Sequence, residues 1–124
     1  MNVSQQLADA LRPGLPGFRI TGYNAALEAV TGRLVMAYVE RIEPTGQIGL
    51  NQVRVELGMW LLVGNEDTKA ADKTLEAALE RLLVALQGIP WVEWTSAERG
   101  VLQESFHGYK LSLVVREAKI ELED

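Results

Sequence analysis

The chain has 124 residues, 48% apolar and 23% charged, which is one domain's worth of folding sequence and excludes a disordered tail. Its 17 Asp and Glu against 12 Lys and Arg leave a net charge of −5, a poor basis for gripping nucleic acid, whose affinity comes from clustered cations. With no cysteine, disulfides, thiolate nucleophiles, iron–sulfur clusters and thiolate zinc sites are excluded. The opening residues, Met1 to Gln6, lack the basic end and apolar run of a signal peptide, and no stretch reaches the roughly 20 apolar residues of a membrane span. The expectation is a soluble protein without a membrane partner, made in a cytoplasm.

Val3, Leu7, Ala10 and Leu11 recur at helical spacing around Ser4, a candidate N-cap, and Pro13-Gly14 ends this short helix. Phe18 to Thr21 is a brief alternating run, a short strand or an extended lead-in. Asn24 to Val30 has the composition of two helical turns, stopped by Thr31-Gly32. Arg33 to Glu43 is rich in Val, Leu, Ile and Tyr and turns charged toward its end, which suits a strand buried in its first half and projecting in its second. Pro44 to Gly49 is turn chemistry. A second strand follows over Gln52 to Val63. Val53, Val55, Leu57, Met59, Leu61 and Val63 share one face, with Arg54, Glu56, Gly58, Trp60 and Leu62 on the other. The two strands predict a long antiparallel hairpin, charged near its tip and apolar near its base.

Gly64 to Asp67 breaks the pattern and offers capping groups for the next helix. Thr68 to Gln87 carries the strongest helical signal, a stripe of Ala71, Leu75, Ala78, Leu79, Leu82, Leu83 and Leu86, with Gly88 placed for a left-handed cap and Pro90 beyond. Trp91 to Ser96 predicts a third strand and Ala97 to Ser105 a polar connection. Phe106 to Ile120 predicts a fourth strand, with Tyr109, Leu111, Leu113 and Val115 on one face. The acidic tail, Glu117 to Asp124, is expected to fray. This order predicts a single α+β domain over residues 1–124: an antiparallel four-stranded sheet with a long projecting hairpin, one main helix packed on one face, and a short N-terminal helix.

The search for chemistry returns little. The one histidine, His107, has no partner ligands in the sequence, and Ser4, Ser96, Ser105 and Ser112 sit in no nucleophile elbow. Gly46 and Gly49 flank a turn and open no helix, so neither a phosphate loop nor a dinucleotide fingerprint is present. Glu40, Glu43 and Glu56 read as partners of Arg41 and Arg54 in cross-strand ion pairs, not as an acid–base pair. Trp91 and Trp94 fall on opposite faces of a strand and form no stacking platform. No catalytic, metal-ligating or cofactor-binding residue is assigned, and the chain is expected not to be an enzyme.

Certain features fall together in a recognisable order. They are a short helix ending at Leu11, a strand near Leu34 to Val39, a turn-rich polar hairpin, and the strand Val53 to Val63. After them come a loop-capped helix centred on Leu75-Glu76-Ala77-Ala78-Leu79, Ile89-Pro90, and a final strand Tyr109 to Val115. In this architecture and spacing, over roughly Val3 to Val115, the chain resembles the tail terminator proteins of long-tailed bacteriophages, the family that includes the lambda minor tail protein U. The resemblance implies a structural virion protein at the head-proximal end of the tail, assembled in the host cytoplasm. It implies a homo-oligomeric ring, hexameric in known members, that caps the tail tube, stops its polymerisation and joins the tail to the head connector. Partners would be the tail tube protein and the head–tail connector protein, with DNA passing through an acidic lumen without specific binding. The alternatives are another head–tail joining protein, a neck stopper or adaptor, or a non-viral module binding a small ligand or a protein. The candidate assembly interface comprises Arg41, Glu43, Gln47, Asn51 and Arg54 of the hairpin. To these are added Trp60 and Leu62, which the alternation leaves on the face away from the helix; the competing expectation is that a loop or the N-terminal helix covers them.

Overall fold

The apolar periods resolve, in the computed structural model, into α1 (Val3–Leu11), β1 (Phe18–Thr21), β2 (Arg33–Pro44), β3 (Gln52–Val63), α2 (Thr68–Gln87), β4 (Glu93–Leu102) and β5 (Phe106–Lys119). The structure describes residues 2–24, 30–45, 51–64, 68–104 and 106–119, with the backbone alone for 68–71. The helical turns expected between Asn24 and Val30, most of the turn Pro44 to Gly49, and the tail beyond Lys119 therefore lie outside the described residues.

The strands form one sheet of five in the order β1-β2-β3-β5-β4. This corrects the expected four-stranded antiparallel sheet in two ways. Phe18–Thr21 is a sheet member, and it pairs parallel with β2, from Phe18 beside Arg33 to Thr21 beside Met36. An alternation of four residues marks an extended segment but names neither its partner nor its direction, so the pairing was not legible. The stretch Ala97–Leu102, expected to be a connection, continues β4; Gln103 and Glu104, at φ 51° and 62°, make the turn into β5. β4 is an edge strand, and edge strands carry the polar and charged residues that otherwise mark loops. The hairpin is also not free-standing. β5 follows β3 as far as Gln52 opposite Lys119, so the projecting end is three strands wide.

Both helices lie on one face of the sheet. Leu7, Ala8 and Leu11 of α1 and Leu75, Ala78, Leu82 and Leu86 of α2 pack against Val35, Ala37, Leu57, Met59, Leu61, Leu111 and Leu113. Burial of each large side chain contributes about 1.5–3 kcal/mol. Ser4 is not the N-cap: it lies inside α1, nearly buried, where its Oγ donates to the Gly22 carbonyl at 2.9 Å and ties the helix to the chain leaving β1. Gly88 does not take a left-handed conformation; α2 ends as its N–H donates to the Ala85 carbonyl and the Ile89 N–H to that of Leu86. Arg99 Nη2 reaches Asp72 Oδ1 at 2.6 Å, linking β4 to α2.

The other face has its own small cluster, Leu34, Met36, Trp60 and Leu62, flanked by Val30, Tyr38, Leu102 and Phe106. No described helix covers it. Its side chains lie flat, over glycines of the neighbouring strands. Leu62 lies against Gly108, where a Cβ would also strike the Leu61 carbonyl, and the Trp60 ring lies over Gly100. Gly108→Ala should therefore cost about 1–3 kcal/mol, and Gly100→Ala less, since only the far edge of an indole must shift there. Urea midpoints followed by circular dichroism measure both; equal midpoints would show that this close approach does not matter to the fold.

Candidate assembly interface

The projecting end is built by strand pairing interrupted at chosen points. Val39 faces Leu57 and Arg41 faces Glu56, so Glu40 is an extra residue, a bulge that bends β2. Beyond it the cross-strand neighbours are charged. Arg41 Nε lies 3.1 Å from Glu43 Oε1, Arg54 Nη1 lies 3.3 Å from the same oxygen, and Arg54 Nη1 lies 2.7 Å from Glu56 Oε1. Arg41, Glu43 and Arg54 are thus brought together as expected from their alternation. All are about a third exposed or more, so each contact contributes at most about 1 kcal/mol; the result is a charged surface held in register more than a stabilising network. Asn51 is exposed just ahead of β3, and Gln47 lies outside the described residues.

A second polar group was not anticipated. Tyr38 Oη donates to Glu40 Oε1 at 3.2 Å, and Lys110 Nζ pairs with the same oxygen at 2.9 Å. Tyr38 and Glu40 belong to β2 and Lys110 to β5, so the group spans β3. It can do so because β3 has Gly58 at that row: a Cβ there would meet the Tyr38 ring and the Glu40 carboxylate. A glycine within a strand is a signal for such close approach, and Gly58 in an otherwise apolar run was the available clue. Burial pushes the Tyr38 phenol above its ordinary value, and the hydrogen bond to Glu40 does the same for the Lys110 ammonium.

Trp60 and Leu62 do lie on the face away from the helices, Trp60 in the row of Met36 and Lys110. The expectation that they are exposed does not hold: Trp60 is 8% accessible and Leu62 is 0%. The N-terminal helix, on the opposite face, is not what covers them. Their cover comes from neighbours on β2, β4 and β5. Among the described residues, no group of three or more His, Asp or Glu is placed to hold a metal ion, and no helix is long and apolar enough to cross a membrane. His107 is exposed on β5. No known protein family matches the sequence, and no curated protein is significantly similar to it.

Trp60→Ala should lose about 3–5 kcal/mol of folding stability in urea denaturation, the penalty of a buried ring; an unchanged midpoint would return Trp60 to the surface. The raised Tyr38 and Lys110 values favour the protonated folded chain, so their contribution is complete below the unfolded values of 10.0 and 10.5 and is lost as pH rises through the higher folded ones. The melting temperature should fall from about pH 9 to pH 11, and fall less in Tyr38→Phe. An identical slope in that variant would exclude the phenol.

Proposed function

We propose that the chain is a structural subunit of a phage tail, similar to the tail terminators, and not an enzyme. Copies form a closed ring, six by the resemblance, that caps the tail tube, ends its polymerisation and receives the head connector. The ring belongs to the head-proximal end of the tail, is assembled in the host cytoplasm, and binds no cofactor. One observation carries the reading: the domain extends three paired strands beyond its edge elements and covers their end with ordered, partly exposed charges, the Arg41–Glu43–Arg54–Glu56 chain. A surface of that kind suits protein contacts that must form in one orientation, because charge order fixes register and rejects wrong partners. The acidic balance adds to it, since a negative lumen repels duplex phosphate and lets DNA pass.

Electron microscopy of tails assembled with and without the protein tests this. Its omission should give overlong tubes that do not join heads, and adding the chain back should restore a fixed length and a ring at one end. Tubes of normal length that nevertheless fail to join heads would instead indicate a neck stopper or adaptor.

A further inference from the structure

The three-stranded projection has two long free sides. Among the described residues, β2 has no β1 partner beyond Met36, and β5 has no β4 partner beyond Val114. Both strands run antiparallel to β3, so they run in the same direction. Rotating one copy about an axis along the strands therefore brings its β5 side against the β2 side of another, with the strands parallel.

The two sides match in apolar surface and in charge. On β2, Val39 and Ile42 sit opposite the core residues Leu57 and Val55, on the helix-bearing face, yet they are 40% and 48% exposed. Beside β5, Trp91 stands just ahead of β4, 39% exposed, between shallow depressions lined by Val115 and Ala118 on one side and by Val114 and Arg116 on the other. Large apolar side chains left in water at both sides of one projection form a pair of complementary contact surfaces. Each side is also bulged at charged residues. Glu40 is the extra residue on β2, and Arg116 with Glu117 stands opposite the single Arg54 on β5. Through β3, Ile42 stands level with Val115 and Glu43 with Arg116 and Glu117, so a parallel arrangement without axial shift brings Glu43 of one copy beside Arg116 of the next. The intramolecular pair that Arg116 now makes is exposed: Arg116 and Glu93, 2.9 Å apart, have side chains 73% and 56% accessible, so exchanging that partner costs little. Bulges and charges keep such edges from pairing with arbitrary strands, which leaves a partner of matching charge.

We infer that the β2 side around Val39–Glu43 and the β5 side around Trp91 and Val115–Lys119 are the two halves of one head-to-tail contact between copies of this chain. Trp91 of one copy packs on Val39 and Ile42 of the next. A contact of this heterologous kind closes into a ring or propagates as a filament according to its rotation; only the closure rests on the function proposed above.

The absence of native cysteine makes the test clean. The full chain carrying both Ile42→Cys and Trp91→Cys, joined by a short bis-maleimide, should give a ladder of multimers on a denaturing gel. Each single variant, with one thiol, can go no further than a dimer. Arg116→Glu in the double-cysteine background should weaken the ladder about tenfold, and adding Glu43→Arg should restore it. A ladder no stronger than that from Val84→Cys with Val101→Cys, two exposed positions away from these sides, overturns the inference. If the unmodified chain still forms rings in that case, the ring stands and this contact is wrong. A strong ladder from open chains that never cap a tube leaves the contact standing and removes the terminator reading.

Discussion

A sheet has two faces, and here both helices take the same one. Among the described residues the remaining face leaves water by its own side chains, and much of what is distinctive about the domain follows from how it does so. Tyr38 and Leu62 lie against Gly58 and Gly108 of the adjacent strands, where a Cβ would clash, and the Trp60 ring reaches over Gly100 of β4. The result is a closed apolar patch, Leu34, Met36, Trp60 and Leu62, with no described helix over it. The same device at Gly58 carries Glu40 across β3 to Lys110, so a polar clamp borders the patch on the side of the projecting end. Past that border the outer face is charged, and the apolar to charged gradient along β2 and β3 is a direct readout of where the glycines stop.

The gradient separates two tasks. The base of the sheet supplies stability, through a helix-covered face and a self-covered one. The ion pairs of the projecting end add little to stability, because they are partly exposed, but they stand on paired strands that hold the charges in fixed order. Groups on strands are positioned more accurately than groups on loops, which is what a subunit must offer if it meets several partners in one orientation.

Long elements were the most legible in the sequence. The bounds of β3 and α2, Gln52–Val63 and Thr68–Gln87, follow from sustained alternation and from a leucine stripe. The ion pairs of Arg41, Glu43 and Arg54 follow from the same alternation. Less legible were features that depend on sheet position. The alternation of β1 names neither its partner nor its direction, and the second half of β4 is polar because it is an edge. The exposure of Trp60 was misjudged because covering it depends on glycines in strands far away in sequence; alternation names a face, but it does not say whether that face meets water. Tyr38–Glu40–Lys110 was missed for a similar reason, since its members are joined across an intervening strand and no spacing in the chain records that.

The strand order also divides the domain by contact distance. β2 with β3 and β4 with β5 are each neighbours in sequence, and each pair needs only local chain closure to form. The central seam is different: β3 meets β5 only after α2 and β4 have been laid down, pairing residues as remote as Val55 and Val115. Loop-closure entropy thus favours the two local hairpins over the long-range seam, whose closure carries the larger entropic cost. Until it is complete, the β3 and β5 edges are open and their apolar rows are bare. That makes the unfinished seam, and not any surface of the finished subunit, the point at which crowded nascent chains are most exposed to aggregation.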